Sequence, residues 1–290
     1  CYNYTIHSRI HIFNKTWGDT MKSDRYKTIV VKVGTSTLVH ENGKLNLAGM
    51  EKLVRVISDI KNSGKNVVLV TSGAVGTGAG RLGIKGKGDV KIKQALAAVG
   101  QGILMQFYEK LFLEYGIIVA QILLTRDDLE KGVRRQNALN TFTTLFEFDV
   151  VPIVNENDTV AVEEIVFGDN DTLAAVVAKL ISADLLVLLS DVDGLYTMPP
   201  HEPGAEKISY VKEITPEIEA IAEGSYSDFG TGGMKSKINA AKIATAAGAA
   251  MAIIDGENPA EIYNIIDGES CSGTFFEPQK EVPYSKKNAM

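Results

Sequence analysis

The chain has 290 residues, 45% hydrophobic and 23% charged, the balance of a globular protein with a substantial core. A net charge of −6 argues against a nucleic-acid binder, which presents a dominant basic face. Two cysteines, Cys1 and Cys271, leave no disulfide framework and no CxxC metal site, which fits a reducing, cytoplasmic compartment.

No apolar run reaches the roughly 20 residues that span a bilayer, so no membrane partner is expected. Residues 1–24 are polar and read as an N-terminal tail rather than a secretory signal. The first β-branched run, Thr28 to Val33, predicts a buried strand. It contains Lys32, costly to bury unless its ammonium emerges at a polar site. Gly34-Thr35-Ser36-Thr37 follows directly and offers such a site; a lysine snorkelling off the strand end is the alternative. Leu47 to Ile60 has helical spacing, with Asn46 as cap and Gly64 as stop.

Asn66 to Thr71 is the next strand, and Ser72-Gly73-Ala74-Val75-Gly76-Thr77-Gly78-Ala79-Gly80 after it suggests close backbone approach to a small ligand. Gly78, Gly80 and Gly83 match G-x-G-x-x-G, but too far past the strand, and with Ile84-Lys85-Gly86-Lys87-Gly88 next instead of a helix. The Walker A spacing is absent. Lys91 to Tyr115 is a long helical pattern, with an interruption expected around Gly100 and Gly102. Strands recur at Ile117 to Leu124, Val150 to Val154 and Asp184 to Ser190, with helices at Arg134 to Phe148 and Asp171 to Ser182 between them.

Strands apolar on both faces and separated by helices imply an α/β fold: a mostly parallel central sheet with helices on both faces. Ligands then bind beyond the carboxyl ends of the strands. There the sequence places Asn155-Glu156-Asn157-Asp158, then Gly168-Asp169-Asn170-Asp171-Thr172, then Ser190-Asp191. Asp169, Asn170 and Thr172 are capping types, yet one cap needs one side chain, and the crowded acids and amides could also grip a substrate amino group. Near the other end, Phe229-Gly230-Thr231-Gly232-Gly233-Met234-Lys235-Ser236-Lys237 precedes an alanine-rich helix, Ile238 to Ala247. Glycines and lysines before a helix start suit a polyphosphate, and equally an ordinary solvated turn. The glycine–lysine element at Lys32 and Gly34 favours the former.

These pieces in this order resemble the amino acid kinase family, and within it the members that phosphorylate free glutamate. The likeness rests on Val31 to Ser36, Thr71 to Ala74, Asn155 to Asp158, Gly168 to Asp171, Ser190-Asp191 with Gly194 to Tyr196, Thr231 to Met234 with Lys237, and Gly273 to Phe276. The resemblance implies a kinase domain over 25–276 that transfers the γ-phosphoryl group of ATP to the side-chain carboxylate of L-glutamate, the first step of proline synthesis, with feedback by L-proline. It implies a homo-oligomer, dimer or tetramer. Many bacterial members continue into a PUA domain, and none is expected in the tail 277–290.

Carried onto this chain, the resemblance makes Lys32 and Lys237 the groups that stabilise the moving phosphoryl, with Asp171 orienting them. Glutamate falls to Ser72, Gly73, Asn155, Asp158 and Asn170. The nucleotide falls to Lys32, Gly34, Ser190, Asp191, Thr231, Gly232, Gly233, Met234, Lys235, Ser236 and Lys237, with Mg²⁺ carried mainly by the ATP phosphates. A carboxylate needs no general base, so positioning and charge neutralisation suffice for such a transfer. Another acid as acceptor, or a non-catalytic amino-acid sensor, are the alternatives.

Overall fold

The computed structural model describes residues 25–84, 89–160, 169–200, 202–224 and 233–279. Thr231 and Gly232 of the glycine–lysine stretch therefore lie outside the described residues. In chain order, the first half runs β1 (Thr28–Val33), α1 (Thr35–Leu38), α2 (Leu47–Asn62), β2 (Asn66–Val70), α3 (Ala74–Leu82), α4 (Val90–Leu113), β3 (Val119–Leu124), α5 (Arg126–Leu129), α6 (Val133–Glu147) and β4 (Val151–Glu156). The second half runs α7 (Asn170–Leu180), β5 (Leu185–Ser190), β6 (Leu195–Tyr196), β7 (Lys207–Ile208), β8 (Tyr210–Val211), α8 (Pro216–Gly224), α9 (Met234–Ala246), β9 (Ala250–Asp255), α10 (Glu261–Asp267) and β10 (Thr274–Phe276).

Eight strands form one sheet in the order β3-β4-β2-β1-β5-β9-β10-β8, and β6 pairs with β7 in a separate ribbon. Within the large sheet only the β9–β10 pairing is antiparallel. Strand pleating then sorts the core. Ile29, Val31 and Val33 of β1 and Leu185, Val187 and Leu189 of β5 face α2, α4 and α10. Val30, Leu186 and Leu188 face α7 and α9 on the other side. The result is the expected α/β sandwich. No helix among the described residues is long and apolar enough to cross a membrane.

Two readings need correction. The glycine-rich stretch after β2 is not a ligand loop throughout: Ala74 to Leu82 forms α3, and Gly83, with φ 67°, is its left-handed cap. Gly78 serves helix packing, whereas Gly73 and Gly76 do line the cavity described below. A Cβ at Gly78 would sit 2.0 Å from the Leu96 carbonyl oxygen, and one at Gly100 would sit 1.8 Å from that of Ala74. The two helices thus touch backbone to backbone. Nor is α4 interrupted at Gly100 and Gly102: it runs unbroken through both, with Gly100 packed on α3 and Gly102 facing open space. The strand β9 carried too many alanines to stand out from the helix before it.

Candidate active site

The strand ends put the site where β1 is flanked by β2 on one side and β5 on the other. On β1, Lys32 follows the parity of Val30 and so emerges on the α7 face. The first turn of α7 carries Asp171. Asp169 caps that helix, its side chain accepting from the Thr172 backbone N–H at 2.8 Å. From the first turn of α9, Lys237 reaches the same carboxylate.

Asp171 bridges the two lysines. Lys32 Nζ lies 2.6 Å from Oδ1 and Lys237 Nζ 3.1 Å from Oδ2, while Ser236 Oγ donates to Oδ2 at 3.1 Å. The Asp171 side chain is 1% exposed, and those of Lys32 and Lys237 are 10% and 6% exposed. Burial acts to raise the Asp171 pKa, but the two ammonium groups outweigh it and hold the carboxyl below the usual aspartate value. Two elements about 200 residues apart in sequence are thereby tied at one buried anion. Buried charges are tolerated when paired like this, and leave the lysines pre-placed for an anionic ligand.

A cavity of about 450 Å³ opens beside this cluster. It brings together the expected Lys32, Gly34, Ser72, Gly73, Asn155, Asp158, Asn170, Asp171, Ser190, Asp191 and Lys237, and adds Thr35, Ser36 and Glu156. Gly73 enters α3 with φ 90°, a conformation glycine adopts without strain, as the chain turns from β2 into the cavity wall. Ser190 Oγ donates to Asp191 Oδ1 at 3.0 Å. Burial pushes the Asp158 carboxyl above its usual range, and raises Asp169 despite the Thr172 N–H that it accepts.

One wall is made of amides. Asn170 Nδ2 donates to the Thr71 carbonyl at 2.8 Å, to Ser72 Oγ at 2.9 Å and to Asn155 Oδ1 at 3.0 Å. Its own Oδ1 is buried with no hydrogen-bond partner among the described residues. A buried acceptor left in this state is suited to a donor brought by a ligand.

Not every expected residue lines this cavity. Gly233 is the N-cap of α9 and Met234, 2% exposed, packs into the core beneath that helix. Lys235 and Ser236 line a neighbouring cavity of about 550 Å³, together with Arg126, Thr172 and Asp169, the last shared by both cavities. The sequence reading missed Gln101 on α4, which accepts from Asn155 Nδ2 at 2.9 Å. A glutamine, buried amid Leu96, Ala97 and Leu104 on an otherwise apolar helix face, was the available signal.

The model of the amino acid kinase family matches residues 27–255. A glutamate 5-kinase of Clostridium tetani is 53% identical over 252 residues, covering 86% of this chain and 94% of that one. A glutamate 5-kinase of Moorella thermoacetica is 53% identical over 263 residues, covering 90% of this chain and 69% of the relative. Among solved structures, carbamate kinase from Giardia lamblia bound to AMP-PNP superposes with a TM-score of 0.61 at 17% identity, covering 89% of this chain and 100% of that one, a likeness of fold alone. The β-sheet order, the paired lysines on one aspartate and these matches agree, and the chain belongs to the amino acid kinase family.

Proposed function

We propose that this chain is a glutamate 5-kinase: it transfers the γ-phosphoryl group of ATP to the side-chain carboxylate of L-glutamate, giving L-glutamyl 5-phosphate and ADP, the first step of proline biosynthesis. The observation that carries the reading is the buried Lys32–Asp171–Lys237 bridge at the rim of a cavity walled by carboxamides and carboxylates. The sequence likeness to glutamate 5-kinases supports the choice of acceptor.

The chemistry follows from the charges. A carboxylate oxygen of glutamate attacks the γ-phosphorus, the bond from that phosphorus to the β,γ-bridging oxygen breaks, and ADP leaves with the electron pair. No proton need be removed from the nucleophile. Lys32 and Lys237 neutralise charge on the transferring group, while Asp171 keeps both ammonium groups aimed. The N-terminal turn of α9 adds backbone N–H groups beside Lys237, a favourable place for phosphate oxygens.

Two buried cations and a helix start fit a polyphosphate. Mg²⁺ carried by the nucleotide would screen phosphate charge, and Asp169 and Asp191 are cavity carboxylates that would receive its hydration shell. At the amide wall, Asp158 and the free Oδ1 of Asn170 receive the α-ammonium group of glutamate, with Ser72, Gly73 and Asn155 completing the wall. L-Proline carries an ammonium and a carboxylate in the same relation and acts as a feedback inhibitor at the same wall. We also propose a homo-oligomer; exposed Leu113, Ile118 and Phe148 on segments flanking β3 and β4 support it, and sedimentation velocity measures it.

The test is ADP release with L-glutamate, aspartate, N-acetylglutamate and carbamate as acceptors, with and without Mg²⁺, and the acyl phosphate trapped as a hydroxamate. Glutamate-dependent, Mg²⁺-dependent turnover is expected. Absence of turnover with glutamate, or faster turnover with another acceptor, overturns the assignment.

A further inference from the structure

We propose that Gln101, backed by Gln121, is a positioning residue that locks the amide of Asn155 in the orientation set by the backbone, and so steadies Asn170 Oδ1 as the acceptor for a primary ammonium group on the substrate. The inference rests on the amino-acid acceptor proposed above and assigns its recognition to a residue outside the cavity.

Four carboxamides form a chain. Asn170 Nδ2 donates to Asn155 Oδ1 at 3.0 Å, Asn155 Nδ2 to Gln101 Oε1 at 2.9 Å, and Gln101 Nε2 to Gln121 Oε1 at 3.2 Å. The direction of such a chain is in principle reversible, because an amide presents oxygen on one side and nitrogen on the other. Here two backbone groups remove the ambiguity. The Thr71 carbonyl can only accept, so Asn170 must show it the NH₂ group, 2.8 Å away. The Glu156 backbone N–H can only donate, so Asn155 must show it Oδ1, 2.9 Å away.

With both ends fixed, Asn155 has only its NH₂ left for Gln101, and Gln101 must answer with oxygen. Its remaining NH₂ then meets Gln121 on the edge strand β3, where the amide is exposed and able to adjust. Reversing Gln101 would oppose two NH₂ groups across 2.9 Å. The outcome at the far end is an Asn170 whose three hydrogen bonds all run through nitrogen, leaving Oδ1 without a partner. A group with hydrogens to donate satisfies that oxygen, and an acceptor in its place does not. Substrates bearing an α-ammonium group are thereby separated from the corresponding diacids. Gln101 itself touches no substrate. Being part of the α3–α4 backbone contact at the adjacent Gly100, it sits on one of the most closely packed segments of the fold.

The experiment compares Gln101→Met, which keeps length and removes both hydrogen bonds, with Gln101→Glu, which keeps the acceptor toward Asn155. KM and kcat are measured for L-glutamate and ATP, along with the inhibition constant of glutarate, which lacks the amino group. In Gln101→Met, KM for glutamate rises about tenfold, the loss of one well-placed hydrogen bond. KM for ATP, kcat and the glutarate constant stay within about twofold, so the preference for glutamate over glutarate narrows, and Gln101→Glu recovers most of it. An unchanged preference in Gln101→Met, or an equal loss for both ligands, overturns the proposal. Should Gln101→Met not fold, Gln121→Met at the exposed end supplies the answer: an increase in glutamate KM of about threefold is expected, and none refutes the chain. Wild-type protein without glutamate-dependent turnover would instead defeat the functional assignment, so the two failures are distinct.

Discussion

Replacing Asp171 by asparagine tests the centre of the site, because it removes one charge and almost no volume. The wild-type carboxylate lies 2.6 Å from Lys32 Nζ and 3.1 Å from Lys237 Nζ. At an effective dielectric of about 20, opposite charges about 3 Å apart attract by roughly 5–6 kcal/mol. Desolvation of three buried ions opposes most of that gain, so the net loss is that of stripping a partner from a buried ionic cluster, about 3–5 kcal/mol. Urea denaturation of Asp171→Asn at pH 7 should show a loss in this range, and kcat should fall about 10²–10³-fold as the ammonium groups lose their aim.

The pH dependence carries a further sign. The folded-state pKa of Asp171 is depressed below its ordinary 3.8, so its stabilising contribution is complete above 3.8 and disappears as pH falls through the lower folded value. The gap between wild type and variant should therefore hold constant across neutral pH and close only below about 3.8. A variant within about 1 kcal/mol of wild type at pH 7 and within threefold in kcat would refute the account of the bridge.

Lys32→Ala and Lys237→Ala should each lower kcat by about 10²–10³-fold while circular dichroism shows the fold retained, and near wild-type turnover in either removes that lysine from the mechanism. Asp158 has a pKa raised by burial, so it costs stability once pH rises above the unfolded value of 3.8. Asp158→Asn should accordingly be more stable than wild type at pH 7, with the difference vanishing below about 3.8, while its KM for glutamate rises. Thermal denaturation across pH, paired with initial rates, reads both; a less stable variant contradicts the burial argument. Gly100→Ala should destabilise by about 1–3 kcal/mol or more through collision with the Ala74 carbonyl, measured by urea midpoint, and an unchanged midpoint would mean the helices part easily.

Much of the framework was legible because period and burial coincide. The strands β1 and β5 are apolar on both faces, and Asn46 caps α2 as its position predicted, accepting from the Gly49 N–H at 3.1 Å. Lys32 was legible as a site residue for the same reason: a charge inside a buried strand requires a partner, and Asp171 is that partner. What escaped was tertiary in origin. Gly78 read as part of a ligand loop and Gly100 as an interruption, yet both are required by helix contact, information that no local window contains. The run Ala250 to Asp255 lacks the β-branched density of β1, and only its place between β5 and β10 makes it a strand. Gln101 escaped because its partner Asn155 is 54 residues away.

The contact between Gly78 and Gly100 bears on how this protein tolerates change. With backbone already against backbone, there is no side chain to shave down in compensation and no smaller residue to substitute. A library randomising position 100 and sorted for stability should return glycine, even though the residue touches no ligand. Changes to the cavity's shape are then better tolerated at side chains on the opposite rim than where these two helices interlock.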